Sequence, residues 1–165
     1  MIIREVKLSD ADKLANLIQQ VEKYSTYMLW EPGERNIQTK DQLKMIKGIK
    51  SSENSTILVA ENANELVGFL LARGGNARRN KHAAYIVVGI LNDYRGKGIG
   101  TKLFNELDRW ASNNNIHRLE LTVVTKNEAG LALYKKQGFE IEGTKRDSLF
   151  IDGEFVDEYY MSKLL

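Results

Sequence analysis

The chain contains no cysteine among its 165 residues. It therefore has no disulfide framework, no thiol nucleophile and no cysteine-based metal site. Histidine is almost as scarce, since only His82 and His117 are present and they lie far apart in the sequence. We therefore expect no bound metal, and group transfer through a cysteine-bound intermediate is excluded.

Long hydrophobic runs and a signal-peptide pattern are also absent. The longest apolar run, Ala83 to Leu91, is too short to cross a bilayer, and the opening residues Met1 to Glu5 do not resemble a leader. The formal net charge is +2, from 24 basic and 22 acidic residues, which gives no reason to expect nucleic acid. We therefore expect a cytoplasmic protein with neither a membrane nor nucleic acid as its partner.

The organisation of the chain is simple. It shows no internal repeat, no low-complexity segment and no linker, and 165 residues can bury a sizeable core. We therefore interpret residues 1–165 as a single domain.

Hydrophobic periodicity predicts an alternation of strands and helices. Ser9 with Asp12, and Thr39 with Gln42, have the spacing of capping boxes, which predicts helices starting near residues 10 and 39. The other expected elements, in chain order, are a strand at 2–6, a hairpin of strands 56–61 and 66–72, a strand at 83–91, a helix burying Ile99, Leu103, Leu107 and Trp110, a strand at 119–124, a helix capped by Asn127 and ended by Gly138, and strands at 139–150 and 154–164. The fold class is therefore mixed α/β, with a right-handed parallel crossover between the strands at 83–91 and 119–124.

The most informative stretch runs from Arg95 to Gly100, between an apolar strand and an amphipathic helix. Its three glycines, Gly96, Gly98 and Gly100, allow sharp turns and leave the backbone N–H groups uncovered. The helix that follows adds further free N–H groups and the positive end of its dipole, while Arg95 and Lys97 add formal charge. The stretch therefore predicts a binding site for a phosphate-bearing ligand.

Two familiar phosphate motifs do not fit this stretch. A P-loop needs Gly-Lys followed by Ser or Thr, but Gly100 is followed by Thr101 and Lys102 in the opposite order. A dinucleotide-binding fingerprint needs glycine at position 101, where this chain has threonine.

The glycine stretch, its flanking elements and a second segment described below resemble the GNAT superfamily of N-acetyltransferases. The segment from Val88 to Leu103 is similar to the family's acetyl-CoA signature, Arg/Gln-x-x-Gly-x-Gly/Ala after the fourth strand. A second segment, Asn127 to Phe139, is similar to the family's Asn-x-x-Ala-x-x-x-Tyr-x-x-x-Gly-Phe helix, with the alanine slightly shifted. Both lie in the family's order, and the strand order matches over nearly the whole chain. The resemblance implies a central, mostly antiparallel sheet of about seven strands, flanked by about four helices.

The resemblance also implies a set of acetyl-CoA contacts. Main-chain groups around Val88 and Ile90 would bind the pantetheine arm where two neighbouring strands separate. Backbone N–H groups of Arg95, Gly96, Lys97, Gly98, Ile99 and Gly100, together with Thr101, would hold the pyrophosphate. Asn127 would contact the cofactor, and Tyr134 would stand beside the thioester sulfur. Lys136 is a further candidate for a cofactor phosphate, although lysines in a last helical turn also favour the helix dipole.

The chemistry of these residue types agrees with those roles. Asn127 and Tyr134 are two helical turns apart, so they share one helix face. A tyrosine hydroxyl can donate a proton to a departing thiolate or stabilise the developing anion. Alternatively, Tyr134 packs in the core beside Leu131 and Leu133, and Asn127 is only an N-cap.

The acceptor and the general base are less determined. Many relatives are described with a glutamate on the fourth strand that acts as the general base, but this strand has no acidic residue here. The candidate bases are therefore Glu31, Glu61, Glu120, Asp147 and Asp157. Tyr27, Glu31 and Asp157 are candidate acceptor-binding residues, because aromatic rings and carboxylates suit a cationic amine. The chain resembles members acting on polyamines or protein N-termini, some of which dimerise, and we expect a small cationic amine. A peptide N-terminus, an aminoglycoside and a catalytically silent acyl-CoA sensor remain alternatives.

Overall fold

A seven-stranded sheet in the order β1-β2-β3-β4-β5-β7-β6 forms the centre of the molecule. The computed structural model describes all 165 residues. Only β4 and β5 run parallel, and every other neighbouring pair is antiparallel. The strands are β1 (Ile2–Glu5), β2 (Thr56–Asn62), β3 (Glu65–Gly74), β4 (Ala83–Ile90), β5 (Arg118–Val124), β6 (Glu140–Ile151) and β7 (Glu154–Leu164). The expected mixed α/β fold with a parallel crossover is therefore confirmed.

Helices cover the sheet on both faces and divide the core into two clusters. The helices are α1 (Ala11–Tyr24), α2 (Thr39–Lys50), α3 (Ile99–Asn113) and α4 (Glu128–Lys136). The larger cluster lies under α3, and the smaller one lies under α1 and α2. None of the helices combines the length and hydrophobicity that crossing a bilayer requires.

Helix α3 forms as its sequence pattern predicts. Ile99, Leu103, Leu107 and Trp110 recur at three- and four-residue spacing, so they share one face, and all four are buried. The helix thereby packs the segment that follows the glycine stretch onto β2, β3 and β4.

The predicted capping boxes are wrong at both sites. The Asp10 carboxylate accepts a hydrogen bond from the Lys7 backbone N–H at 2.7 Å and binds the Arg4 guanidinium at 2.7 and 2.9 Å, so the chain enters α1 through a short 3-10 turn instead. Arg4 also holds the pKa of Asp10 below its usual value. At α2, the Thr39 hydroxyl donates to Asp12 at 3.0 Å and is not used as a cap. A different local pair is therefore used at α1, and a tertiary partner replaces the local one at α2.

The parallel pair of strands is incomplete. Strands β4 and β5 are in register only at three positions, of which Tyr85 opposite Glu120 is the last. Beyond it, β4 continues to Ile90 against β3, and β5 continues to Val124 against β7. The two strands therefore diverge into a wedge-shaped gap, which we call the wedge, between residues 86–90 and 121–124.

We expect Gly89→Ala to destabilise the protein, because a Cβ there would lie 2.5 Å from Phe69 and 2.8 Å from Val21. Overpacking of this kind costs about 1–3 kcal/mol. Gly68→Ala is the matched control on β3, since its Cβ would meet Ile90 and Ile99 at 3.4 Å. Urea unfolding measures both variants, and equal free energies of unfolding would contradict the close approach of α1 to β4.

Candidate active site

One edge of β4 is lined with main-chain groups that no neighbouring strand uses. The N–H of Leu91 donates to Val67 at 2.9 Å, and the carbonyl of Ala83 accepts from Gly75 at 3.0 Å, so these odd-numbered residues face β3. Because successive residues of a strand point their backbone groups to opposite sides, those of Val88 and Ile90 face the wedge. An extended chain bearing amide groups could pair with this edge as a strand would.

The glycine stretch carries a second set of free donors. The N–H groups of residues 96–101 donate no hydrogen bond within the protein. Gly96 and Gly98 have φ values of +71° and +80°, which keep the turn open in a conformation that other residues adopt only with strain. These N–H groups lead directly into the positive end of α3, so the stretch offers the donors and the positive potential that a phosphate requires.

The side chains around this stretch leave its backbone exposed. Lys97 places its Nζ 5.2 Å from the centre of the Tyr94 ring, and Arg95 donates from Nε to the Ile90 carbonyl at 3.4 Å. The Thr101 hydroxyl makes no hydrogen bond within the protein. Two cations and one hydroxyl therefore flank the free N–H groups without covering them.

Gly100 joins this stretch to α4. A Cβ at Gly100 would lie 2.7 Å from a methyl group of Leu133, so only glycine permits the present contact between the start of α3 and α4. The phosphate-binding stretch and the residue after Leu133, which is Tyr134, are thereby held together.

Asn127 caps α4 as predicted, because its Oδ1 accepts a hydrogen bond from the Gly130 N–H at 3.0 Å. Its Nδ2 has no partner in the protein and remains a donor. Lys136, in the last turn, is exposed and forms no ion pair.

Tyr134 lies between the core and the wedge. Its ring packs edge-on against Phe104, with centroids 5.8 Å apart, and against Phe139 at 6.2 Å. Burial, with a smaller contribution from nearby Tyr85, raises the pKa of Tyr134 to about 12. Its hydroxyl is therefore a neutral donor at physiological pH, and it donates to no group of the protein.

Tyr85 and Thr122 form a bridge that the sequence did not reveal. Their hydroxyl groups are 2.7 Å apart and join β4 to β5 at the point where the strands begin to diverge. A half-exposed tyrosine on an otherwise apolar strand was the one available signal. The hydroxyl pair lines the narrow end of the wedge, beside Tyr134.

The three candidate acceptor residues are not placed equally. The Tyr27 hydroxyl donates to the Lys126 carbonyl at 3.5 Å, and the Asp157 carbonyl accepts from the Thr125 N–H at 3.0 Å, so both residues lie at the connection between β5 and α4. The Asp157 carboxylate also accepts from the Asp147 N–H at 2.8 Å. Glu31 is exposed, and its carboxylate forms no hydrogen bond or ion pair within the protein.

Two of the candidate bases on the sheet form ion pairs. Glu61 pairs with Arg4 at 2.8 Å, and Glu120 pairs with Arg118 at 2.7 Å.

Glu22, which the sequence analysis missed, is 2% exposed and pairs with Arg35, whose guanidinium lies 4.9 Å from the centre of the Trp30 ring. This contact fixes the loop between α1 and α2, and a glutamate within a helical pattern gave no signal for it.

Comparison with known proteins defines the class of this site. Residues 18–139 match the model of the acetyltransferase (GNAT) family. The chain therefore belongs to the GNAT acetyltransferase family, and the expected acetyl-CoA-dependent N-acetyltransferase is confirmed at this level.

Particular relatives extend over the whole chain. An L-amino acid N-acetyltransferase of Escherichia coli is 30% identical, covering 99% of this chain and 98% of the relative. The crystal structure of a GNAT acetyltransferase from Streptococcus pneumoniae has a TM-score of 0.95 at 28% identity and covers 99% of this chain and 98% of its own. An acetyltransferase from Salmonella typhimurium, solved with acetyl-CoA, has a TM-score of 0.89 at 18% identity, over 100% of this chain and 94% of its own, and shows the shared fold.

We expect Gly98→Ala to weaken acetyl-CoA binding, because its methyl group would occupy the open space beside the free N–H groups. Loss of one charge-assisted hydrogen bond costs about 1.5–3 kcal/mol, or roughly tenfold to a hundredfold in Kd. Gly153→Ala is the matched control, since Gly153 has a φ of +79° and equally open surroundings in the β6–β7 turn. Calorimetric titration with acetyl-CoA measures both, and equal affinities would contradict the phosphate site.

The raised pKa of Tyr134 predicts that its hydroxyl stays protonated where an ordinary tyrosine ionises. Tyrosinate absorbance is titrated for the native protein and for Tyr134→Phe. The difference between the two curves should show no ionisation up to about pH 11, because the pKa is about 12. A difference curve with a midpoint near pH 10 would show that Tyr134 is solvated.

Proposed function

We propose that this protein transfers the acetyl group of acetyl-CoA to the primary amine of a small acceptor by direct attack. The observation that carries the proposal is the meeting of two sets of main-chain groups that no neighbouring strand or helix uses, next to the helix that carries Tyr134. One set lies along the β4 edge of the wedge, and the other comprises the N–H groups of residues 96–101.

We assign the acetyl-CoA contacts to these two sets and their neighbours. The backbone of Val88 and Ile90 pairs with the amides of the pantetheine arm, and residues 95–101 hold the pyrophosphate. Asn127 contributes its free Nδ2, and Lys136 contributes a charge for a cofactor phosphate. When bound, acetyl-CoA supplies an activated acetyl group whose leaving group is a thiolate.

Tyr134 is the proposed proton donor to that leaving group. Because burial raises its pKa to about 12, it keeps its proton at neutral pH and offers a hydrogen bond from a half-buried position. The chain has no cysteine to form an acyl intermediate, which supports direct transfer with both substrates bound.

Two acceptor classes have separate support. A polyamine-like cationic amine is supported by the carboxylates and aromatic rings of Tyr27, Glu31 and Asp157, two of which lie at the β5–α4 connection. An L-amino acid is supported by the full-length relative that is named for that activity. A peptide N-terminus has weaker support, since an N-alpha-acetyltransferase 50 of Danio rerio is 33% identical over 49% of either chain. The cytoplasmic location of the protein and its assembly as a homodimer remain predictions from the sequence.

The test of the proposed function is thiol release from acetyl-CoA across a panel of polyamines, amino acids, aminoglycosides and short peptides. The chain has no thiol of its own, so all released thiol comes from the cofactor. Release that depends on one class of amine supports the proposal and names the acceptor. Binding of acetyl-CoA without release to any amine would contradict it and favour a sensor of acyl-CoA.

We expect Tyr134→Phe to lower kcat by roughly a hundredfold, the scale of general acid catalysis, with little change in the KM for acetyl-CoA. Steady-state kinetics with the best amine of the panel measures the effect. Tyr24→Phe is the control, because Tyr24 is 55% exposed at the end of α1. An unchanged kcat for Tyr134→Phe would remove its role as the acid.

A further inference from the structure

A cavity of about 320 Å³ opens at the amino-terminal ends of β4 and β5. It is lined by Arg73, Gly75, Asn80, His82, Ala83, Tyr85, Arg118 and Glu120. In register, Arg73 lies opposite Tyr85, and Tyr85 lies opposite Glu120, so these side chains share one face of the sheet. Their neighbours Ala84 and Leu119 pack under α3, which places the cavity on the opposite face.

One exposed arginine on the rim of the cavity, Arg73, has no ion-pair partner. Arg118 is held by two carboxylates, Glu120 at 2.7 Å and Glu142, so these three side chains carry a net charge of −1. Arg73 forms no ion pair, and no hydrogen bond of its guanidinium exists within the protein. Asn80 uses its Oδ1 to accept from the Ala77 N–H at 2.9 Å, which leaves its Nδ2 as a further donor.

Tyr85 connects this cavity with the reaction site. Its side chain is one wall of the cavity, and its hydroxyl forms the 2.7 Å bridge to Thr122 at the narrow end of the wedge. A ligand in the cavity can therefore extend past Tyr85 towards the thioester, with its other end beside Arg73.

We propose that Arg73 binds the carboxylate of the acetyl acceptor, and that the acceptor is an amino acid whose amine lies against Tyr85 at the wedge. The proposal rests on the proposed function and names the substrate class for the same site. A free guanidinium on one side and the Glu120 carboxylate on the other complement a zwitterion. A polyamine has no anion for Arg73 and would be repelled by it.

The test compares each of L-alanine, L-leucine, L-methionine, L-phenylalanine and L-lysine with its own carboxamide, which keeps the amine and removes the negative charge. We expect the native enzyme to favour the acids by roughly tenfold or more in kcat/KM. Arg73→Gln should abolish that preference by raising the KM for the acids, with kcat and the KM for the carboxamides unchanged. Arg73→Lys, which keeps the charge, should restore part of it.

Arg78→Gln is the matched control, because Arg78 is an exposed arginine of the adjacent β3–β4 connection and does not line the cavity. Equal effects of Arg73→Gln on acids and carboxamides, or native turnover of polyamines alone, would overturn the proposal. Calorimetric measurement of the binding of the five acids distinguishes failure of the Arg73 site from failure of the proposed transferase activity. If the acids bind in an Arg73-dependent way but no thiol is released, the carboxylate site is supported and the transferase activity is contradicted. If thiol is released equally with and without Arg73, the transferase activity is supported and the carboxylate site is contradicted.

Discussion

The partial pairing of β4 with β5 is the constraint on which the site depends. Buried main-chain groups must find hydrogen-bond partners, and a strand in the middle of a sheet normally has them on both edges. Here the parallel pairing stops at Tyr85 and Glu120, while the outer partners β3 and β7 continue to hold both strands. The sheet therefore remains intact around a gap whose edge has the donors and acceptors of a missing strand.

The glycine stretch and α4 complete this gap from one side. Gly96 and Gly98 open the turn, and Gly100 allows Leu133 to pack at its Cα, so the free N–H groups lie beside the helix that carries Tyr134. The hydroxyl pair of Tyr85 and Thr122 closes the narrow end, where the cavity beside Arg73 begins. The proposed donor and acceptor sites thus lie on the two faces of the same interrupted strand pair.

Local features of this arrangement were predictable from the sequence, and features made by distant residues were not. The glycine spacing, the apolar face of α3 and the Asn127 cap each depend on residues within about one or two turns of each other. The Tyr85–Thr122 bridge joins residues 37 positions apart, and the Glu22–Arg35 pair depends on the path of a loop. The expected Thr39 cap is absent because the Thr39 hydroxyl donates to Asp12, 27 positions away, whereas at α1 Asp10 accepts from the Lys7 N–H in place of the expected Ser9–Asp12 pair. The approach of Tyr27 and Asp157 to the β5–α4 connection likewise depends on residues distant in the sequence.

Amide hydrogen exchange, resolved by residue with and without acetyl-CoA, tests most directly whether unpaired main-chain groups bind the cofactor. The account predicts that acetyl-CoA slows exchange at Val88, Ile90 and residues 96–101, while Val87 and Gly89, which already face β3, change little. Binding of acetyl-CoA with unchanged exchange at Val88, Ile90 and the glycine stretch would contradict it.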